Sequence, residues 1–259
     1  MMTLNPYSGV SHRAIYVFMR HRDVFMKTWK TSLLPPFLEP LFYLLGMGYG
    51  LGSMISPIKG MSYVEFIAPA MVASVIMTAP FFECTVGSFV RMHYQKTFDA
   101  MMATPVSIED IVTGEILYGA GRALLQGTAI FIVIALFGLV KSPMALFIIP
   151  LCFILALAHG PIAILYTSFM PAINYVDYFF ALVITPMFLF AGTFFPIEQL
   201  PVWAQKIAWF MPLHHTVNIA RGLNVGHVMG IWGDMLWLAV CGLLFYALAL
   251  WRMRARMLK

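Results

Sequence analysis

Charged side chains are scarce in this chain: Asp, Glu, Lys and Arg make up 10% of its 259 residues, while 61% are hydrophobic. Soluble domains carry roughly a quarter charged residues, so the polar groups present are too few to cover a water-facing surface, which argues against a soluble enzyme. A mean hydropathy of +0.84 argues equally against disorder. Cysteine is limited to Cys84, Cys152 and Cys241, each inside an apolar run and without metal-ligand spacing, so neither a disulfide framework nor a zinc site is expected. The chain also lacks a G-x-x-x-x-G-K-[ST] phosphate loop, an H-E-x-x-H pair and a G-x-S-x-G elbow. Without them it has no residues for ATP hydrolysis by that route or for the common hydrolytic chemistries. No catalytic residue and no metal ligand is expected.

What is present is apolar sequence in long runs. A helix needs about 20 mostly apolar residues to cross a bilayer. Six stretches meet this, at about 33–52, 66–90, 116–139, 144–170, 175–195 and 231–251. The expected fold is a single all-α integral membrane domain over 1–259 with six transmembrane helices. The apolar stretch 197–215 is too short, aromatic and proline-rich to cross, and reads as outer re-entrant helices. Residues 11–30 read as an interfacial amphipathic helix, with Ala14, Ile15, Phe18, Phe25, Met26 and Trp29 on one side and Arg20, Asp23, Lys27 and Lys30 opposite; Arg22 breaks the apolar side. No cleavable signal peptide is expected, because the first apolar run is full length.

The net charge of +5 does not point to nucleic acid, because the basic residues sit at the ends of apolar runs. Arg13, Arg20, Arg22, Lys27, Lys30, Arg91, Lys96, Arg252, Arg254, Arg256 and Lys259 fall on one side. Lys59, Lys141, Lys206 and Arg221 fall on the other, with Arg122 inside the third span. Eleven against four places both termini in the cytoplasm. Most acidic residues lie in loops or at span ends; Glu83 is the one well inside an apolar run, with Glu39 near the start of the first. Two such carboxylates are too few for a proton relay. Glu83 reads either as a pathway or gating residue or as a tie between spans, with Arg122 as its partner.

Between the second and third spans, residues 96–103 make a short helix, Thr104-Pro105 breaks it, and Ser107 with Asp110 forms a capping box. Phe98, Met101 and Met102 on so short a cytosolic element need a partner or the membrane surface. Gly46, Gly48, Gly50 and Gly52 permit close helix approach, within one chain or between two. His159-Gly160-Pro161 reads as a kink, and the adjacent His214 and His215 as interfacial packing rather than a metal site.

The run from Thr97 through Met101, Met102 and Thr104-Pro105, followed by Ser107 to Glu115, resembles the coupling helix and third-span start of type-2 ABC exporter permeases. Glu39-Pro40 through Gly52 and Phe82 to Phe89 resemble the first two spans of the NodJ-type branch, permeases of lipo-oligosaccharide export. Phe190 to Pro201, continuing to Pro212-Leu-His-His215 and Arg221-Gly222-Leu223, is similar to the family's fifth-span end and outer helices. The resemblance implies a homodimeric permease in the bacterial inner membrane, bound to two copies of a nucleotide-binding ATPase subunit. That subunit holds ATP and magnesium, and this chain holds no cofactor. It further implies that Lys96, Thr97, Phe98, Asp99, Ala100, Met101 and Thr104 couple the permease to the ATPase, Phe98 and Met101 filling a pocket there and Asp99 pairing a basic residue. Phe194, Phe195, Trp203 and Trp209 join Glu83 as pathway or gating residues. The cargo is a lipid-linked oligosaccharide, polysaccharide or similar amphiphile, with a drug or lipid exporter as the alternative and a membrane-embedded lipid-modifying enzyme as a remoter one.

Overall fold

A computed structural model describes the backbone of residues 9–58 and 60–258, with the side chains of 30–37, 39 and 40 outside the description. Lys59 and Lys259, and the side chains of Lys30, Glu39 and part of the expected first span at 33–52, therefore lie outside the description. Among the described residues the chain is all-helical apart from one isolated bridge, Ile58 to Met61.

Helix α1 runs Ala14–Tyr43 and is interrupted at Thr28, where φ is −123° and ψ 15°. It continues through a π-helical stretch, Leu44–Gly50, and a 3-10 turn, Leu51–Met54. Ala14, Val17, His21 and Phe25 form its buried face. They are spaced at three and four residues, as a helical stripe requires. The apolar face expected from the sequence is thereby split: Ala14 and Phe25 pack inward, whereas Ile15, Met26 and Trp29 are exposed. The inward face rests on the third-span helix, where a Cβ on Gly114 would fall 2.5 Å from Val17 and 2.9 Å from the Ala14 carbonyl.

Helix α2, Tyr63–Phe82, starts on a Ser62/Glu65 capping box. It is prolonged by π-helical turns at Glu83–Gly87 and Val90–Tyr94. Helix α3, Thr97–Met102, is the short helix foreseen between the second and third spans, and α4, Ile108–Leu136, starts on the foreseen Ser107/Asp110 box. Helices α5 (Ile148–Thr167), α6 (Val176–Phe179), α7 (Thr185–Phe190), α8 (Val202–Trp209), α9 (Pro212–Val225) and α10 (Ile231–Met257) complete the chain.

Among the described residues five helical segments are long and apolar enough to cross a membrane: Tyr63–Tyr94, Ile108–Leu136, Pro143–Thr167, Ile173–Phe190 and Ile231–Met257. Their ends differ from the apolar runs for a physical reason. The second span extends past Arg91 and the third begins eight residues early, because Arg91, Glu109, Asp110 and Glu115 are satisfied by one another or by neighbours and are buried or nearly so. Glu115, expected at a span end, has no exposed surface. Helix α5 passes through Pro161 as one helix, with His159 Nδ1 3.0 Å from the Leu155 carbonyl oxygen. Gly48 and Gly52 pack against Val64 and Tyr63 of the same chain, while Gly46 and Gly50 have little or nothing nearby.

Gly114→Val places branched carbon against Val17 and the Ala14 carbonyl. Overpacking of this kind costs about 1–3 kcal/mol. The expected outcome is a lowered thermal midpoint in detergent and faster proteolysis at Arg13 and Arg20; unchanged proteolysis would show that the close approach does not hold α1 in place.

Candidate functional site: a buried ionic floor beneath an apolar cleft

Three helices bring five ionisable side chains together. Glu83, Gly87 and Arg91 follow one another along the C-terminal part of the second span, Glu115, Tyr118 and Arg122 share one face of α4, and His21 and Phe25 come from α1. Arg91 Nε lies 3.0 and 3.1 Å from the two Glu115 oxygens, and a second guanidinium nitrogen also donates to Oε2. Ser88 Oγ donates to the same carboxylate at 2.7 Å, and His21 Nε2 lies 2.9 Å from Oε1. Glu83 is held more loosely, 3.6 Å from Arg91 and 3.6 Å from Arg122. The Arg122 guanidinium sits over the Phe25 ring at 4.9 Å.

The reach of Arg91 depends on Gly87. A Cβ at that position would lie 2.8 Å from an Arg91 nitrogen and 2.9 Å from a Glu83 oxygen. The pattern Glu-x3-Gly-x3-Arg therefore carries the signal that sequence reasoning missed when it counted Arg91 as a loop charge. The expected Glu83–Arg122 tie is present, as one arm of a larger assembly.

This floor closes a cleft of about 1740 Å³. Its walls come from Tyr43 at the end of α1 and Met47 just beyond it, Met71, Val75 and Phe82 of the second span, and Phe180, Ile184 and Phe188 of the fifth. Tyr63, Glu198 and Gln199 stand at the far end. Since Tyr63 and Glu83 are 20 residues apart on one span, the cleft runs about 30 Å, most of a bilayer's hydrocarbon thickness. Phe194 and Phe195 line it, and Phe194 joins Tyr43 and Phe188 in an aromatic cluster with centroids 5.0–6.0 Å apart. Trp203 and Trp209 do not line the cleft; they are exposed on α8.

Near that far end, α8 and α9 are too short to cross, at about 12 and 21 Å. Both nitrogens of His215 are occupied, Nδ1 by Asp234 at 2.6 Å and Nε2 by the Trp209 carbonyl at 2.7 Å, with Trp237 stacked on the ring at 4.3 Å. His214 faces the Ala191 carbonyl and Asn218, and burial lowers its pKa. Arg221 donates to the Phe66 and Thr193 carbonyls and lies 3.7 Å over the Phe66 ring; burial pushes its pKa down to about 9, against the opposing pull of Glu198 and Tyr63.

The short helix α3 departs from expectation in one respect. Phe98 has no exposed surface and Thr97 is buried, so Phe98 packs into this chain's own core rather than projecting from it. Lys96, Asp99, Ala100 and Thr104 are exposed and Met101 is partly so. Lys96 turns the chain from the second span into α3 with a left-handed φ of 55°. The N-terminal segment is tied to the same loop: Ser11 donates to Asp110 through its backbone at 2.6 Å and its hydroxyl at 3.0 Å, Ser107 donates to the Gly9 carbonyl at 2.9 Å, and Arg13 donates to the Pro105 carbonyl.

A multi-pass helical membrane protein with a membrane-length apolar cleft over an ionic floor has the make-up of a transport component. Residues 13–224 match the ABC-2 type transporter family, and the chain belongs to that family. It is 37% identical over 219 residues to Nodulation protein J of Rhizobium leguminosarum bv. trifolii, covering 85% of this chain and 84% of the relative. To Nodulation protein J of Rhizobium meliloti strain 1021 it is 36% identical over 212 residues, 82% and 81% of the two chains. To the inner membrane transport permease YadH of Escherichia coli K12 it is 22% identical over 209 residues, 81% and 80%.

Removing one partner of a buried ion pair costs about 3–5 kcal/mol, because the other charge is stranded. Glu115→Ala is therefore expected to lower stability more than Glu83→Gln, since Glu83 is held only at 3.6 Å on either side. Gly87→Ala should reproduce much of the Glu115 effect by displacing Arg91. Thermal unfolding of the three variants checks the order; Glu83→Gln proving the most harmful would overturn it.

Proposed function

We propose that this chain is the permease subunit of an ATP-driven exporter that moves a lipid-linked oligosaccharide, polysaccharide or similar amphiphile out of the cytoplasm. The observation that carries the reading is the cleft: about 1740 Å³, walled by aliphatic and aromatic side chains and floored by Glu83, Arg122 and Gln126. Such a space accepts an apolar chain along its length and polar groups at its ends. Similarity to Nodulation protein J supports the export branch.

In this reading two copies of the chain assemble with two copies of a separate ATPase subunit, which holds ATP and magnesium. The outer half of α1 with its π-helical continuation supplies a sixth span, and both termini are cytoplasmic. The N-terminal part of α1 lies at the inner membrane surface, presenting Ile15, Met26 and Trp29 to lipid. Movement of the ATPase reaches the permease through Lys96, Asp99, Ala100, Met101 and Thr104, while Thr97 and Phe98 anchor the helix so that it carries α4 and the second span with it. Glu83, Phe194 and Phe195 act along the pathway. Trp203 and Trp209, with the α8–α9 hairpin, form its outer rim.

Two measurements test this. With the partner ATPase, Asp99→Arg is expected to reduce substrate-stimulated turnover at least tenfold with an unchanged thermal midpoint, whereas Phe98→Ala should lower the midpoint itself. Normal stimulation in Asp99→Arg would remove α3 from the coupling route, and stimulation by small apolar drugs alone would favour the drug exporter. For topology, a chain lacking its native cysteines should react with an impermeant maleimide at Gly60→Cys in spheroplasts, and at Thr104→Cys only after lysis; the reverse pattern would invert the orientation.

A further inference from the structure

We propose that the corner between the C-terminal ends of α5 and α10 is a binding site for the phosphate headgroup of an anionic phospholipid. Three arginines end α10, and their charges are answered unequally. Arg254 lies 3.4 Å from Glu109. Arg256 donates to the Thr167 and Met170 carbonyls at 2.6 and 2.8 Å, so it takes up the last carbonyl of α5 and one just beyond it. Arg252, one turn before Arg256 on the same face, has a ring in place of an acceptor: its guanidinium lies 4.6 Å over Phe169. Among the described residues no oxygen accepts from it, and its Nε is enclosed without a hydrogen-bond partner.

A guanidinium carries five donors and a permanent charge, and in a setting poor in water it is stable only with an anion or several acceptors beside it. The carbonyl end of α5, which would otherwise serve Arg252 and repel an anion, is already engaged by Arg256. What Arg252 lacks is therefore supplied from outside the chain. Its setting indicates the source. Phe169 is 58% exposed and Trp251 67% exposed on the neighbouring surface, rings of the kind that sit at headgroup level. Two cations one turn apart favour a headgroup with net negative charge over a zwitterionic one. Phe169 holds the guanidinium plane in place, and the fork of Arg252 meets two phosphate oxygens at once. This site is distinct from the cleft and does not depend on what the chain transports.

The test uses the full chain in nanodiscs of phosphatidylcholine, with and without phosphatidylglycerol, and native mass spectrometry to count retained lipid. Wild type is expected to hold phosphatidylglycerol about fivefold more tightly than Arg252→Gln, in keeping with the loss of one cation at a membrane surface. Arg252→Lys should keep part of the preference, and Arg254→Gln, whose charge already has Glu109, should behave as wild type. Equal retention by wild type and Arg252→Gln would overturn the proposal. So would equal retention of phosphatidylcholine, or displacement of the lipid by millimolar inorganic phosphate. If Arg252→Gln does not fold, Phe169→Ala carries the test through the same lipid count, with a smaller loss expected and no change overturning the site.

Discussion

A carboxylate with no exposed surface has to be answered by its neighbours, and much of this structure follows from how Glu115 is answered. Burying an ion costs several kcal/mol unless attraction and hydrogen bonds offset it. Arg91, Ser88 and His21 provide them from two other helices. For Arg91 to reach Glu115, the second span must keep its helical course past the end of its apolar run and Gly87 must leave room for the side chain. The π-helical turns at Glu83–Gly87 and Val90–Tyr94 lie in this stretch, and such turns are frequent where a helix serves a functional site. For His21 to reach it, α1 must lie close on α4, which Gly114 permits. One ionic requirement thus sets the register of three helices and leaves Glu83, its least tightly held member, facing the cleft.

The sequence was most legible where structure is local. The capping box at Ser107 and Asp110, the break at Thr104-Pro105 and the short helix before it depend on residues within a few positions of one another, and all are present. The apolar runs located five crossing helices, because hydropathy and length are properties of a segment alone. Their ends were less legible. A charge lowers hydropathy wherever it stands, and nothing local says that Arg91 and Glu115, 24 residues apart, neutralise each other. The same limit explains Phe98 and the α8 tryptophans. An apolar residue on a short helix needs burial, but whether the chain or a partner supplies it is decided by elements far away in sequence. Of the pathway candidates, Glu83, Phe194 and Phe195 meet in the cleft, while Trp203 and Trp209 stand apart from it.

The loop between the second and third spans presents neighbouring residues to opposite sides. Thr97 and Phe98 face inward, and Asp99 and Ala100 face out. A helix of six residues held by one fully buried ring cannot tilt independently of the core beneath it. The clamp from Gly9, Ser11 and Arg13 adds a second attachment, and Asp110 serves both the α4 cap and the N-terminal segment. The N-terminal helix, the loop and the third span are therefore held to one another, and α4 joins the loop to the ionic floor.

That clamp also dictates a timetable for the chain's birth. Ser11 and Asp110 are 99 positions apart, so the N-terminal segment emerges long before its partner exists. At about 5–20 residues per second, the face bearing Val17, His21 and Phe25 waits roughly 5–20 s for α4 to be synthesised. The side chains that end outward on α1, Ile15, Met26 and Trp29, have no such wait, because their final setting does not depend on the third span.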